Sequence, residues 1–357
     1  MNDIGLYEPE LERKNLFFRY LYRTLRTCAG AQPLDAARPK PQVTQPRLHE
    51  SAWIRWKDQL VFFDMSDHVF AFDLPALKEC SVYFKANLHR GVASRVLAGQ
   101  GMDRCAQKLR PFLFLPSVLD RCHQMAILDR CYSCAPVGRC SLTHVVGVYD
   151  NPVRDGKPSC FDKPDGPIAP AAYHFWIRYH TQQALKAAKI DGLYRLTSRD
   201  NPDIEDGQVV FPNLRHNAYL FSLLRGRVAV INTLPHALLP WKALESMSVG
   251  RPFVVERAPL VEFPEPFAMR AGEHFLELLP DHGGFDELAS LDDPGSYRVL
   301  QSISLDRLAA RAEWLGQQLR DKARIDHMTG AVRKYRDAIL RPQTLVSYIG
   351  HTVESMR

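Results

Sequence analysis

Apolar and polar positions along this chain fall into short β-branched runs separated by longer stretches with helical spacing. The plainest instance lies between Arg227 and Glu256. Val228–Ile231 and Phe253–Val255 are apolar runs short enough for buried strands of a parallel sheet. Between them Pro240 stands where a first-turn proline is tolerated, Gly250 where a left-handed cap ends a helix, and Pro252 where no helix continues. The pattern predicts strand, loop, helix, strand, with the loop Asn232–Leu239 opening at the carboxyl end of the first strand.

The same reading predicts a helix over Leu6–Thr27 and strands at Leu60–Phe63, Ser81–Phe84 and Phe112–Leu115, with a helix at Leu74–Cys80. Thr143–Val148 is the expected first strand of a second unit. A long helix Pro170–Ile190, strands Leu193–Leu196 and Val209–Phe211, and a helix His216–Leu224 lead into the central stretch. Phe275–Leu279 reads as a strand, and Ser304–Leu319, Ile325–Leu340 and Thr344–Ser355 as helices, the first with Ser304 as its N-cap. Ala29–Arg47 and Cys160–Ala169 are proline-rich loops.

Composition narrows the class. At 357 residues the chain suits two α/β domains, and 46% apolar with 24% charged residues is ordinary for a globular protein. No run approaches the ~18 apolar residues of a membrane span, and acidic Met1–Glu10 does not read as a signal peptide. The expectation is a cytoplasmic protein. The formal charge of +6 permits an anionic partner without calling for nucleic acid. Basic residues crowd the amino-terminal helix, which suits either packing on its own domain or peripheral contact with the inner face of a membrane. Eight cysteines include Cys122, Cys131, Cys134 and Cys140, with His123 and His144 nearby. Cys131 and Cys134 have the spacing of half a zinc knuckle, but a second close pair is missing, so buried thiols are the plainer account.

Candidate chemistry gathers at the carboxyl ends of predicted strands. Lys242 and Glu245 lie three residues apart on one helix face, placed for a diphosphate and for ribose hydroxyls. Thr233, Pro235 and His236 sit on the loop before them. Arg154, on the loop after Thr143–Val148, and Arg199 are further candidates for the phosphates, although a turn or a solvated surface accounts for them equally well. Asp64, Asp67 and His68 follow the strand Leu60–Phe63 and are candidates for the base that deprotonates an attacking hydroxyl. The plainer reading of the aspartates is turn formation or helix capping.

The segment Pro240-Trp241-Lys242-Ala243-Leu244-Glu245-Ser246-Met247-Ser248-Val249-Gly250-Arg251-Pro252-Phe253-Val254-Val255 resembles the donor segment of GT-B-type glycosyltransferases, written P-x-K-x-x-E-x-x-x-x-G-x-P-V-V. The region as a whole resembles exostosin-related and polysaccharide-pathway transferases. The resemblance covers about Pro212–Glu256 and puts Glu245 on the donor-ribose glutamate and Lys242 on the basic residue near the phosphates. It departs at Ala237, where many retaining members carry a second glutamate, so it does not fix the stereochemistry; the strand-end acids tilt the expectation towards inversion.

The resemblance implies a GT-B-like α/β fold of two Rossmann-like domains facing across a cleft. Residues 1–142 would form the acceptor side and 143–343 the nucleotide-sugar side, with 344–357 a terminal helix crossing back. It implies transfer of a sugar from a nucleotide-diphosphate sugar to a saccharide or lipid-linked acceptor, in bacterial surface glycan synthesis, with no cofactor beyond the donor. No GxGxxG or Walker A loop is present, which counts against a dinucleotide oxidoreductase and a P-loop kinase. Two rivals stand beside this expectation: a nucleotide- or glycan-binding protein of the same fold without activity, and an interaction module stapled by zinc at the cysteine cluster.

Overall fold

The computed structural model describes residues 4–9, 11–14, 16–34, 51–66, 69–112, 119–132, 139–148, 170–198, 209–210, 216–232, 240–256, 263–280 and 304–356. Among these the chain is α/β, built on two six-stranded sheets.

The first sheet contains β1 (Ile4–Leu6), β2 (Gln32–Pro33), β3 (Ser51–Trp56), β4 (Gln59–Asp64), β5 (Val82–Lys85) and β6 (Leu109–Pro111), in the order β2-β1-β3-β4-β5-β6. It is mixed. β3 pairs antiparallel with β1 and β4, whereas β4, β5 and β6 run parallel. The hairpin between β3 and β4 turns on Lys57 and Asp58, with Lys57 in the left-handed region at φ 58°. Neither is a glycine or asparagine, so the alternation of apolar residues before Leu60 carries no turn signal to mark it. Of the strand expected at Phe112–Leu115 only Phe112 is described, buried just past the end of β6, and the rest lies outside the described residues.

The predicted helix Leu6–Thr27 is in fact β1 followed by α1 (Leu11–Lys14) and α2 (Leu16–Ala29). The apolar face of α2 is spent inside the protein. Phe18, Tyr20, Leu21, Tyr22 and Leu25 are buried in the main core, while Arg19, Arg23 and Arg26 face water. Each buried side chain of this size contributes roughly 1.5–3 kcal/mol, so this face is a core element. Helices α3 (Leu74–Glu79), α4 (Arg90–Gly99) and a 3₁₀ turn at Asp103–Lys108 complete this part. Asp73 caps α3 through the Ala76 amide.

The second sheet is wholly parallel: β7 (Cys140–Val148), β8 (Gly192–Ser198), β9 (Val209–Val210), β10 (Gly226–Val230), β11 (Phe253–Val255) and β12 (Phe275–Glu277). Its order is β12-β11-β10-β7-β8-β9. Counted from β7 this is the doubly wound order 3-2-1-4-5-6, whose direction of travel reverses between β7 and β10. The two strands approach closely. A Cβ on Gly226 would lie 2.8 Å from the Thr143 amide nitrogen, so only glycine fits there.

Side chains alternate between two cores, as a sheet covered on both faces requires. Val228, Val230 and Val254 pack with α6 (Pro170–Ala187) and α9 (Leu305–Arg320). Ala229, Ile231, Phe253 and Val255 pack with α7 (His216–Arg225) and α8 (Trp241–Ser248). The second cluster is continuous with the core of the first sheet, joined through α5 (Leu119–Tyr132) against α7 and α8. After α10 (Lys322–Ala338), the last helix α11 (Pro342–Glu354) lies against α2. Its Tyr348 hydroxyl donates to Pro111 O at 2.6 Å, and Lys57 pairs with Glu354. No described helix is long and apolar enough to cross a membrane.

Candidate functional site

The site is organised by α8 and the two strands at the reversal. Pro240 forms the N-cap of α8 in extended conformation, one position before the expected N1, because it lacks a side-chain acceptor but its φ of −67° suits the entry. The exit matches the sequence signal. Gly250 adopts φ +80°, its amide donates to Met247 O at 2.8 Å, and Arg251 N donates to Ser246 O at 2.9 Å. These two bonds are the Schellman pair that spends the last helical carbonyls. The helix is thereby held with its amino terminus at the carboxyl end of the sheet, where the strand order reverses.

Lys242, in the first turn, extends its ammonium towards β7. Nζ donates to Val145 O at 3.3 Å and lies 5.0 Å over the ring of Tyr219 on α7. Among the described residues this is its one hydrogen bond, so donor capacity remains for an anion. Burial, with Arg178 adding a like charge, lowers its pKa to about 7 against the partial support of Glu245. A lysine in this state gains charge readily when a phosphate arrives.

Glu245 lies on the same helix but faces inward, 2% exposed. Its carboxylate accepts from Trp241 Nε1 at 2.8 Å, and His216 Nε2 lies 3.2 Å away without hydrogen-bond alignment. The expected cleft-lining carboxylate is therefore a buried one, set under α5 and α7. The i,i+4 spacing from Trp241 explains this: the indole bends back over the helix and takes the carboxylate with it.

A buried polar network that the sequence reading did not anticipate spans the reversal itself. His144 on β7 and Asn232 just after β10 meet at 2.7 Å, Nε2 to Oδ1. The Asn232 amide donates to Glu256 Oε1 at 2.5 Å, just after β11, and to Thr181 Oγ1 at 3.3 Å on α6. Those acceptors fix the orientation of the amide, so His144 carries its proton on Nε2. Burial holds its pKa down at about 4 despite the bond to Asn232, leaving the imidazole neutral. Arg178 on α6 donates to Gly147 O, bringing a guanidinium to the end of β7. The partners of Asn232 and Gly147 (His144, Glu256, Thr181 and Arg178) come from two strand ends and a helix far apart in sequence. Only the strand-end position of Asn232, in a loop flagged for ligand binding, hinted at it.

Across the first sheet, Asp64 is the last residue of β4 and not a loop residue. It is wholly buried and its carboxylate accepts from Ser66 N (2.9 Å), Ser66 Oγ (2.6 Å), Tyr83 Oη (2.8 Å) and Lys85 Nζ (2.8 Å). Lys85 is equally buried. Four donors use up the lone pairs that a base would offer to a substrate, so this pair anchors the turn after β4. Asn87 Nδ2 donates to Ser66 O and pins the same turn from the β5 side.

Asp67, His68, Thr233, Pro235, His236, Arg154 and Arg199 lie outside the described residues, as do Cys134 and the side chain of Cys131. Their flanks are placed: Asp67 and His68 follow the anchored Ser66, and the loop 233–239 joins Asn232 to α8. Of the cysteine cluster, Cys122 is buried on α5, and Cys140 starts β7 with its thiol directed to Leu142 O and Arg225 O. Burial raises the pKa of both thiols. His144, adjacent in sequence, is engaged with Asn232. Among the described residues no group of three or more His, Cys, Asp or Glu is placed to hold a metal.

The chain matches no family model and no curated protein sequence. Solved structures that it resembles include sucrose-phosphate synthase from Thermosynechococcus elongatus, at 13% identity and a TM-score of 0.41. That likeness covers 79% of this chain and 59% of the synthase. HepE from Anabaena, solved in complex with UDP and glucose, is similar at 11% identity and a TM-score of 0.41, over 82% of this chain and 71% of HepE. The chemistry of the site rests on its own residues.

Proposed function

We propose that this chain is a glycosyltransferase that moves a sugar from a nucleotide-diphosphate sugar to a saccharide or lipid-linked acceptor. The observation that carries the reading is Lys242: a cation with unspent donors, in the first turn of a helix, beside the reversal of a doubly wound parallel sheet. The donor's diphosphate lies at this helix terminus, with Arg178 lending positive charge from the end of β7. Thr233, Pro235 and His236, which precede α8 in sequence, and Arg154 and Arg199, which follow β7 and β8, are the further residues assigned to the donor. Glu245, held by Trp241 on the same helix, is the residue assigned to the ribose hydroxyls.

In the transfer, an acceptor hydroxyl oxygen forms a bond to the anomeric carbon as the bond from that carbon to the diphosphate oxygen breaks. The hydroxyl proton goes to Asp67 or His68 on the turn anchored by Asp64, and the nucleoside diphosphate leaves with both bonding electrons. The acceptor side is assigned to residues 1–142 and the donor side to 143–343.

The test is a panel of nucleotide sugars screened by thermal shift, each hit followed by release of free nucleoside diphosphate with and without glycan acceptors. A donor that raises the melting temperature and is turned over supports the reading. A panel without a single stabilising nucleotide sugar removes it, and stabilisation without turnover would leave a binding protein of the same fold.

A further inference from the structure

Glu245 is the carboxylate assigned to the ribose, yet its side chain is only 2% exposed. Among the described residues its one hydrogen bond comes from the Trp241 indole, at 2.8 Å. A carboxylate at that depth is poorly placed to meet a sugar hydroxyl itself. His216 stands between it and the outside. The histidine Nε2 is covered and lies 3.2 Å from Glu245 Oε1, while the side chain as a whole is 36% exposed.

The fold also sets His216 beside the rest of the donor site. It is the first residue of α7, which runs directly into β10 and so begins at the end of the sheet where α8 begins. One turn further on, Tyr219 meets the His216 ring edge to face, with 6.0 Å between centroids. The same Tyr219 ring carries Lys242 Nζ at 5.0 Å. The imidazole is thus grouped with the cation assigned to the diphosphate and with the carboxylate assigned to the ribose.

Its chemistry follows from the carboxylate. A neutral imidazole beside a carboxylate carries its proton on the nitrogen facing it, here Nε2, and keeps a lone pair on the other. Among the described residues no group donates to His216 Nδ1. The contact of Nε2 with Glu245 is within ion-pair distance but not aligned as a hydrogen bond. Contacts of this kind are often poorly aligned until a ligand settles against them.

We infer that His216 is the ribose contact of the donor site, its Nδ1 accepting from a ribose hydroxyl of the nucleotide. Glu245 is then a positioning residue, which fixes the tautomer and the ring from behind. The inference rests on the proposed transferase reading for the ligand, and it moves the ribose contact from helix α8 to the start of α7.

The experiment is calorimetric titration of the full chain with the diphosphates of uridine, adenosine and guanosine, each beside its 2′-deoxy and 3′-deoxy forms. It is run on the wild type, on His216→Phe, His216→Ala, His216→Gln and Glu245→Gln, and on His216→Ala combined with Glu245→Gln. In the wild type at least one ribonucleotide should bind about tenfold more tightly than one of its deoxy forms, as for one hydrogen bond lost. His216→Phe and His216→Ala should each bring that ratio close to one, and His216→Gln, which keeps an acceptor, should restore part of it. Glu245→Gln should lower the ratio, and adding it to His216→Ala should lower it no further. A ratio of two ligands on one variant cancels any general loss of folding or of phosphate contact, so a merely structural role for either residue would leave it unchanged.

A ratio that survives in either His216→Phe or His216→Ala overturns the inference. If Glu245→Gln removes it while those variants keep it, the carboxylate meets the ribose itself. A wild type that binds none of the three diphosphates, or binds them without preference for ribose, overturns it as well. A chain with a His216-dependent ratio that turns over no nucleotide sugar loses the transferase reading and keeps this contact. One that transfers sugar with a ratio indifferent to His216 keeps the reading and loses the contact.

Discussion

His144 Nε2 lies 2.7 Å from Asn232 Oδ1, joining β7 to the end of β10 across the point where the second sheet reverses. Everything proposed for the donor depends on these two strand ends keeping their spacing, because Lys242 reads one of them through Val145 O and the loop to α8 leaves from the other. Asn232 is the hub. Its one amide serves His144, Glu256 and Thr181 together, so its loss takes a hydrogen bond from three buried polar groups at once.

Asn232→Ala is therefore expected to cost about 2–4 kcal/mol in urea unfolding, more than a typical single hydrogen bond, since the penalty is that of the partners left behind. Asn232→Asp should also destabilise, by placing a second carboxylate against Glu256. A cost below about 0.5 kcal/mol for Asn232→Ala would show that water replaces the side chain and that the network does not hold the strands.

The same pair makes stability depend on acid. The His144 pKa sits at about 4 in the folded protein, below the ordinary value of 6.5. Between those values the unfolded chain takes up a proton that the folded chain refuses. Stability contributed by His144 is thus fully present above pH 6.5 and falls as pH drops from there towards 4. The loss amounts to at most about 3 kcal/mol, at roughly 1.4 kcal/mol per pH unit. Chemical denaturation at several pH values should show this slope in the wild type and a shallower one in His144→Gln.

Lys242 supplies the opposite kind of dependence, in binding. With its pKa lowered to about 7, the free protein carries a partly neutral amine at physiological pH. A nucleotide-diphosphate sugar binds the charged form, and the diphosphate diester does not itself titrate there. Donor affinity should therefore be flat below pH 7 and fall as pH rises above it, by up to about tenfold per unit. Lys242→Arg, charged throughout, should flatten the profile, and Lys242→Ala should weaken the diphosphate sugar more than the free nucleoside. A profile unchanged by Lys242→Arg would place the diphosphate elsewhere.

How far the sequence disclosed this follows from what kind of signal each element leaves. Helix α8 was readable because its exit is written locally, in a glycine that must take positive φ and a proline that stops the helix. The parallel strands β10 and β11 were readable because burial on both faces makes them continuous apolar runs. The β3–β4 hairpin was not, since its turn rests on Lys57 and Asp58, with Lys57 taking the left-handed conformation itself. Helix α5 was hidden because its apolar residues do not keep to one face: Leu119, Cys122 and Ala126 are buried while Ile127 and Leu128 face water. Asn232, Glu256, Thr181 and His144 are unremarkable singly, and only the reversal of strand order brings them together.

Glu245 is a case where spacing was legible and burial was not. Because its carboxylate is taken by Trp241 and lies 3.2 Å from His216, Glu245→Ala should lower stability by about 1–3 kcal/mol, where an exposed cleft residue would cost little. Glu245→Gln keeps an acceptor for the indole and should retain most of that stability. Donor affinity measured on the folded fraction of both variants then separates the roles: a loss of roughly tenfold or more in Glu245→Gln marks the carboxylate as a ribose partner, and unchanged affinity limits it to supporting α8.

The last prediction separates an anchor from a base. Asp64 and Lys85 are both wholly buried and 2.8 Å apart. Asp64→Asn leaves the Lys85 ammonium without a counter-charge in the core, and should cost about 3–5 kcal/mol of stability. Removing the charge from both, in Asp64→Asn with Lys85→Met, should recover a good part of that loss, because the unpaired charge is the expensive element. Turnover per folded molecule should remain near normal in the double variant if the pair only holds the turn. Asp67→Asn and His68→Gln should show the reverse, little change in melting temperature and, in whichever is the base, a ~10²–10⁴-fold loss of turnover with donor binding intact. If Asp64→Asn alone abolishes turnover in protein that is demonstrably folded, the carboxylate reaches substrate despite its four donors, and the anchor reading is wrong. If none of the three carboxylate or imidazole changes slows transfer, the proton leaves by another route and the turn after β4 has no part in the chemistry.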